Sequence, residues 1–209
     1  MIPVAPQPEP DQFESLVRSP GSAYLARFPA PTTAQWKNAA YWARVARELR
    51  TSYQEVCAYS AQWIPSREGG GTVDHFVPKS NAPQFAYEWT NYRLACQNCN
   101  ARKWVHRDVL DPFTLATDSF VLLFPSLQVR PNGSLPVEAA SAVDATIKRL
   151  RLNDENAKTS RQEWLLPYCE SQCTFDFLRV KAPFIASELG RQGLVEEIKR
   201  MMVGRTRHV

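Results

Sequence analysis

Residues 72–103 constrain the fold more than any other part of the chain. This stretch reads TVDHFVPKSNAPQFAYEWTNYRLACQNCNARK, with an Asp-His pair near its start and a Cys-x-x-Cys pair near its end. A strand pattern carries the Asp-His pair, a loop with two prolines follows, and a second strand pattern leads into the cysteine pair. The order predicts a strand, a loop, a second strand and a helix that pack together as a small α+β core.

Three side chains in this stretch have the chemistry that phosphodiester hydrolysis requires. The reaction needs an attacking water, a base, and a cation that offsets the charge on the phosphate. His75 is the candidate base, because imidazole titrates near neutral pH. Asp74 and Asn100 offer hard oxygen ligands that suit Mg²⁺ or Mn²⁺. Neighbouring strand residues point to opposite faces, so Asp74 and His75 can share a site only where the strand ends, and Pro78 indicates such an end.

The order of these residues resembles the signature of the HNH (ββα-metal) endonucleases. His75, Asn91 and Asn100 stand at the three signature positions, so the chain is similar to an H-N-N variant. The resemblance implies a metal-dependent endonuclease that cuts DNA, with Asp74 and Asn100 holding Mg²⁺. It also implies that Asn91 is structural, its amide holding the loop so that His75 is aimed correctly.

Two other functions compete with the nuclease. The chain could be a catalytically weak nucleic-acid-binding module, or a subunit that docks an ATPase through its helical extensions. An Asp-His pair by itself is common on protein surfaces. The presence of Asp74, His75 and Asn100 together favours the nuclease, because a binding module has no need of a base beside metal ligands.

Four cations of the same stretch are candidates for contacts with nucleic-acid phosphates. They are Lys79, Arg93, Arg102 and Lys103, and Lys103 lies one helical turn along from Asn100. The formal net charge of the whole chain is only +4, which permits a nucleic-acid partner but does not demand one.

The cysteines raise the question of a structural metal. Many HNH proteins hold a structural zinc with two Cys-x-x-Cys knuckles, one on either side of the Asp-His strand. Here the second knuckle has Cys96 and Cys99, whereas the first has Cys57 and then Ser60, whose neutral hydroxyl is a poor zinc ligand. Two interpretations stay open: Cys57, Cys96 and Cys99 bind Zn²⁺ with a water or a distant His, or they are small buried hydrophobes.

Composition predicts a protein of the cytoplasm. The chain of 209 residues has no apolar run long enough to cross a bilayer and no signal-peptide pattern at its start, so we expect no membrane partner. Its five cysteines are an odd number, which argues against a secreted disulfide framework.

Outside the core, the sequence predicts mostly helices. Residues 1–10 form an extended arm, short helices span 11–17 and 22–27, and a long helix spans 33–56, followed by a strand over 57–64 and a glycine-rich turn over 66–71. Further on, the expectations are a hairpin of 120–124 with 127–130, helices over 137–150 and 153–168, three shorter helices over 175–180, 183–189 and 194–202, and a basic tail.

These elements suggest three parts that form one compact unit: N-terminal arm and helices (1–56), HNH core (57–112), and hairpin with helical extension (113–209). The outer parts, notably a helical arm before CAY and a helix reading TIKRLRLN, resemble the HNH subunits of bacterial Septu-type anti-phage systems, which work with an ATPase. Residues 137–202 are therefore expected to form a partner surface for an ATPase or for a homodimer, or else simply to complete the core.

Overall fold

The computed structural model describes residues 1–65 and 70–203, and the chain divides into two compact units. The N-terminal unit comprises Ala5–Ala58 and Ile64–Arg107, and the C-terminal unit comprises Met1–Val4, Tyr59–Trp63 and Asp108–Val209. The division differs from the three-part, single-unit expectation, because the N-terminal helices belong to the same unit as the Asp-His strand. Most of the predicted glycine-rich turn and the basic tail lie outside the described residues.

The N-terminal unit contains a two-stranded sheet and four α-helices. Their bounds are α1 (Ser19–Arg27), α2 (Thr33–Asn38), α3 (Ala46–Ser52), β1 (Thr72–His75), β2 (Tyr92–Ala95) and α4 (Gln97–Lys103). A π-helical turn leads into α1, and 3-10 turns occur at Tyr41–Val45, Pro83–Phe85 and Trp89–Asn91. The predicted order of strand, loop, strand and helix is confirmed, with β1 and β2 antiparallel and α4 against β1.

The long helix predicted over 33–56 is wrong as one continuous element. It is divided into α2, the 3-10 turn Tyr41–Val45 and α3, and of its apolar residues Trp36, Ala39 and Leu49 are buried whereas Ala43 is exposed. Packing of the aromatic-rich stretch therefore overrides a helix propensity that is only moderate.

The strand predicted over 57–64 is absent from the described structure. Ala61 has a φ of +51°, which an extended strand does not permit. Residues Tyr59–Trp63 belong to the C-terminal unit and interrupt the N-terminal one. The residues on either side of this segment form backbone hydrogen bonds, from Ala58 N to Leu94 O and from Ile64 N to Glu55 O.

The two short helices predicted over 11–17 and 22–27 are joined, because helical structure continues from Glu14 to Arg27. Pro20 lies in the first turn of α1, where its missing N–H is not needed. Gly21 lies against the ring of Tyr87, so closely that an added Cβ would be 2.2 Å from Tyr87 Cγ. The absence of a side chain at Gly21 thus lets α1 touch the loop between β1 and β2.

Aromatic side chains build the core of the N-terminal unit. Tyr87 and Trp89, which lie between β1 and β2, are both buried. Phe13 packs edge-on against Trp89 and Tyr92, with ring centroids 5.7 and 5.8 Å apart, and Trp36 lies 6.2 Å from Tyr87. Phe13 and Trp36, which precede residues 72–103, therefore supply much of the apolar support for the loop and for β2.

The C-terminal unit consists of a hairpin and five helices. Their bounds are β3 (Phe120–Leu123), β4 (Gln128–Pro131), α5 (Val137–Leu150), α6 (Glu155–Cys169), α7 (Phe175–Lys181), α8 (Pro183–Arg191) and α9 (Glu197–Val203). The hairpin and α5 are confirmed, and the other helices lie where the sequence predicted them, with small shifts at their ends. The chain is thus of the α+β class. Among residues 1–65 and 70–203, no helix has the length and apolarity to cross a bilayer.

One small correction in this unit has a clear cause. Asp154, rather than the predicted Asn153, caps α6 by accepting a hydrogen bond from Ala157 N at 2.8 Å. The side chain of Asn153 instead brackets the backbone of Val129, accepting from its N–H at 2.7 Å and donating to its carbonyl at 2.8 Å. Asn153 thereby supports β4.

Candidate active site

The candidate site lies at the end of β1, where Asp74 and His75 are consecutive. Cross-strand pairing places Asp74 opposite Arg93 and His75 opposite Tyr92. The strand ends at His75, so both side chains line one cavity although they lie on a strand, as the sequence predicted. Both are nearly inaccessible, with 2% and 6% of their surface exposed.

The imidazole of His75 is held in one tautomer. Its Nε2 lies 2.9 Å from the carbonyl oxygen of Ala86, and a carbonyl can only accept, so Nε2 carries the hydrogen. The neutral ring therefore has its lone pair on Nδ1. The rings of Trp42 and Tyr92 meet it edge-on, with centroids 4.7 and 5.2 Å away.

The protonation state of His75 follows from these surroundings. Burial, and after it the positive charge of Lys79, lowers the pKa of His75 to about 3. The imidazole is consequently neutral at pH 7 when the cavity holds no anion. A neutral ring with an available Nδ1 can accept a proton, which is what a general base must do.

Asn91 closes the loop between β1 and β2 with three side-chain hydrogen bonds. Its Oδ1 accepts from Val77 N at 2.8 Å, and its Nδ2 donates to the carbonyls of Val77 and Phe85 at 3.0 and 2.9 Å. Phe85 precedes Ala86, whose carbonyl accepts from both His75 and Tyr92 Oη. The amide of Asn91 thus ties down the backbone that orients His75.

Lys103 forms a buried ion pair that the sequence analysis did not anticipate. Its Nζ lies 3.0 Å from Asp74 Oδ1 and 2.9 Å from the carbonyl oxygen of His75, and the residue is 0% exposed. We expected Lys103 to contact phosphates from an exposed helix face. This expectation does not hold in the structure, because the ammonium of Lys103 donates hydrogen bonds to Asp74 and His75 at the end of β1.

Asn100 comes to the same cavity from α4. Its Nδ2 donates to Thr72 Oγ1 at 2.8 Å, which fixes the amide plane and leaves its Oδ1 as the atom able to serve as a ligand. Asp74, His75 and Asn100, separated by up to 26 positions along the chain (100 − 74 = 26), thus line one cavity of about 620 Å³.

The other predicted phosphate contacts occupy different environments. Lys79 lines the cavity with its ammonium 4.9 Å from the ring centroid of Trp42, and burial lowers the pKa of Lys79. Arg93 is buried and donates to the carbonyls of Thr90 and Tyr92, so it does not present its charge to a ligand as we expected. Arg102 is half-buried on α4.

The sequence did not indicate that three tryptophans line the cavity. Trp36, Trp42 and Trp104 all contribute to its lining, together with the exposed Lys37. Trp36 was assigned only to an apolar helical stripe. The position of Trp104, directly after the signature helix, is the signal that could have identified it.

The three cysteines singled out earlier form a second candidate metal centre. The Sγ atoms of Cys57, Cys96 and Cys99 all lie within 4.8 Å of one another. Zn–S bonds of about 2.3 Å in a tetrahedron separate sulfurs by about 3.8 Å, which this cluster accommodates with little movement. Hydrogen bonding with Cys57 is the main factor that raises the pKa of Cys96, to about 12, and also raises that of Cys99, so a cation would be needed to hold thiolates here.

A carboxylate and an imidazole on one strand and an amide on a helix, all around one cavity, have the donors and the base of a metal-dependent phosphodiesterase site. The comparison with protein families agrees. Residues 63–104 match the family model of the HNH endonucleases. No curated protein matches the chain.

Proposed function

We propose that the protein is a divalent-metal-dependent endonuclease that hydrolyses phosphodiester bonds in DNA. The observation that supports this proposal most directly is the convergence of Asp74, His75 and Asn100 on one cavity. The HNH domain match provides independent support for nuclease activity and a nucleic-acid substrate.

In this proposal His75 is the general base. Its Nε2–H is engaged with Ala86, so Nδ1 removes the proton from the attacking water. A phosphodiester anion bound in the cavity raises the low pKa of His75, because a negative charge favours the imidazolium.

Asp74 and Asn100 would hold the cation. Carboxylate and amide oxygens are donors that Mg²⁺ and Mn²⁺ prefer, so the residues fit such an ion. When bound, the ion would offset the negative charge on the phosphate and on the leaving oxygen. Lys103 fixes the orientation of Asp74 through Oδ1.

Asn91 and Lys79 have supporting roles. Asn91 positions His75 through the loop backbone, as its three hydrogen bonds indicate. Lys79 is the predicted phosphate contact that lines the cavity, and Arg102 stays a prediction. We assign no phosphate contact to Arg93 or Lys103, because both are buried with oxygen partners.

A plasmid-nicking assay tests the nuclease. We expect cleavage by the wild-type protein with Mg²⁺ or Mn²⁺ and none in EDTA. Asp74→Asn and Asn100→Ala should each raise the Mg²⁺ concentration needed for half-maximal cleavage, since the first removes the negative charge of a proposed ligand and the second removes the oxygen donor of the other. Undiminished cleavage in EDTA would contradict the proposal, and an unchanged metal titration would remove that residue from the site.

We propose that the cysteine cluster binds Zn²⁺ as a structural ion, with Cys57, Cys96 and Cys99 as ligands. Metal analysis of the purified protein should find about one zinc per chain, and Cys99→Ser should lose it along with thermal stability. Wild-type protein purified without zinc and equally stable would instead make the three thiols core hydrophobes.

The predicted partner and cellular role also stay proposals. The resemblance to Septu-type subunits supports an anti-phage role in the cytoplasm beside an ATPase, and Phe177 and Val180 on α7 are large exposed apolar residues that a partner or a second copy could cover. Size-exclusion chromatography with light scattering, with and without the neighbouring gene product, tests this. A strict monomer that cleaves at full rate alone would contradict it.

A further inference from the structure

The cavity contains an exposed aromatic side chain that hydrolysis itself does not use. Trp104 is 68% exposed and lines the same cavity as Asp74, His75 and Asn100. Leaving an indole in water loses the free energy that its burial would contribute. Trp104 is exposed although it directly follows Lys103, which is buried. An exposed large aromatic at a hydrolytic site suggests a surface for a ligand.

The backbone of Trp104 is also unusual. Its φ is +42°, a region that is strained for a residue with a bulky side chain. Lys103 and Trp104 are adjacent, yet one is turned inward to Asp74 and the other is largely exposed to solvent. The strained residue thus presents its indole where the helix ends and the cavity begins. Backbone strain of this kind concentrates at functional sites.

The other two indoles of the cavity are less suited to stacking with a ligand. Trp42 meets His75 edge-on and has the ammonium of Lys79 4.9 Å from its ring centroid. Trp36 is buried, and its indole N–H has no hydrogen-bond partner among the residues that the structure describes. Trp104 therefore offers the accessible aromatic face.

We infer that Trp104 is a stacking platform for an unpaired base, and that the nuclease acts on single-stranded or locally unpaired DNA. The inference rests on the proposed function and specifies its substrate class. Aromatic side chains bind single strands by stacking on bases, with cations following the phosphates, and Lys37 and Lys79 supply cations at the same cavity.

The geometry distinguishes a single strand from a duplex. In a duplex both faces of an interior base are stacked on neighbouring bases, so it cannot meet Trp104 without leaving the helix. In a single strand, one base can stack on Trp104 while the phosphate beside it reaches His75. The cavity volume of about 620 Å³ lies within the range of pockets that hold ligands of comparable size, about 300–1,000 Å³.

Binding measured in EDTA tests the inference without chemistry. Fluorescence anisotropy of labelled single-stranded and duplex oligonucleotides of one sequence would compare the wild type with Trp104→Ala, Trp104→Leu and Trp104→Tyr. We expect Ala and Leu to weaken single-strand binding about tenfold, or about 1.4 kcal/mol, which lies within the range for base stacking. Duplex binding should change less than twofold, and Tyr should stay near the wild type.

Phe177→Ala is the matched control, because Phe177 is an exposed aromatic on α7 of the C-terminal unit. It should bind both oligonucleotides as the wild type does. Unchanged single-strand binding by the Ala variant, or wild-type binding by the Leu variant, would overturn the inference, as would equal losses for single strand and duplex. A wild type that cleaves duplex with no effect of Trp104→Ala also overturns it, yet leaves the nuclease intact. Trp104-dependent binding without any cleavage refutes the nuclease alone.

Discussion

Each unit contains a two-stranded antiparallel sheet with four residues in each strand, but different side chains stabilise the two sheets. In the β3–β4 hairpin, burial alternates along β3 and involves apolar residues such as Phe120, Leu122 and Val129. In the β1–β2 pair, the buried residues include Asp74, His75 and Arg93. The comparison separates a sheet whose buried side chains are apolar from a sheet that also buries ionisable side chains.

The loops that connect the strands of the two sheets differ in length. Residues 124–127 join β3 to β4, whereas residues 76–91 join β1 to β2. Closing a longer loop costs more conformational entropy. The Asn91 side chain offsets part of this cost with three hydrogen bonds inside the loop. We therefore expect changes in the β1–β2 region to alter activity, and changes in β3–β4 to alter stability alone.

The largest expected effect is on catalysis at β1. His75→Ala removes the candidate base, so cleavage of plasmid DNA should fall about 10²–10⁴-fold. Circular dichroism should show a folded protein, and nucleic-acid binding should persist. A variant that cuts at the wild-type rate would eliminate His75 as the base.

The second expected effect concerns the buried ion pair beneath the site. Lys103→Met leaves the Asp74 carboxylate buried without its cation, so the free energy of unfolding should fall by about 3–5 kcal/mol in a urea titration. Adding Asp74→Asn removes the unpaired charge and should recover most of this loss. The double variant should still cleave poorly, because it lacks a carboxylate ligand. If the single variant keeps full stability, the pair is not structurally important.

The third expected effect is in the apolar hairpin. Leu122→Ala creates a cavity in the C-terminal unit and should lower the free energy of unfolding by about 2–5 kcal/mol. At temperatures where the variant is folded, its Mg²⁺ titration of cleavage should match that of the wild type. A shifted metal response would show that stability and catalysis are not separated as the two sheets suggest.

The smallest expected effect is at Asn91. Asn91→Ala removes three hydrogen bonds, and we expect a loss of about 1–3 kcal/mol in stability and a lower kcat. Asn91→Asp keeps the acceptor for Val77 N but not the two donations, so its kcat should be intermediate. Isothermal titration should find metal affinity nearly unchanged. A tenfold loss of affinity, about 1.4 kcal/mol, would make Asn91 a ligand.

The sequence predicted the site where local order determines it. Strand, loop, strand and helix follow one another directly, and this order together with the resemblance to the HNH signature grouped Asp74, His75 and Asn100 before the structure placed them around one cavity. Lys103 could not be placed, because a lysine at a helix end usually points to solvent and only the contact with Asp74 across β1 reveals otherwise.

Longer-range packing accounts for the other errors. Of the apolar residues at helical spacing in this region, Trp36, Ala39 and Leu49 are buried but Ala43 is exposed, because the predicted helix divides into three pieces. Periodicity reports the buried face, whereas the continuity of a helix depends on what it packs against. The hairpin β3–β4 and α5 were predicted well because turn and helix signals there agree with the packing.

The close approach of Gly21 to Tyr87 limits how the domain can be divided or transplanted. The 63–104 stretch that matches the HNH family has its loop wedged against α1, and Trp89 donates from its indole to the carbonyl of Gln7 at 2.8 Å. A gene fusion or truncation that carried only the matched stretch would leave these aromatic faces in water. The N-terminal helices and the matched stretch therefore form one structural module. Any side chain gained at position 21 would force α1 away from the loop that carries Tyr87.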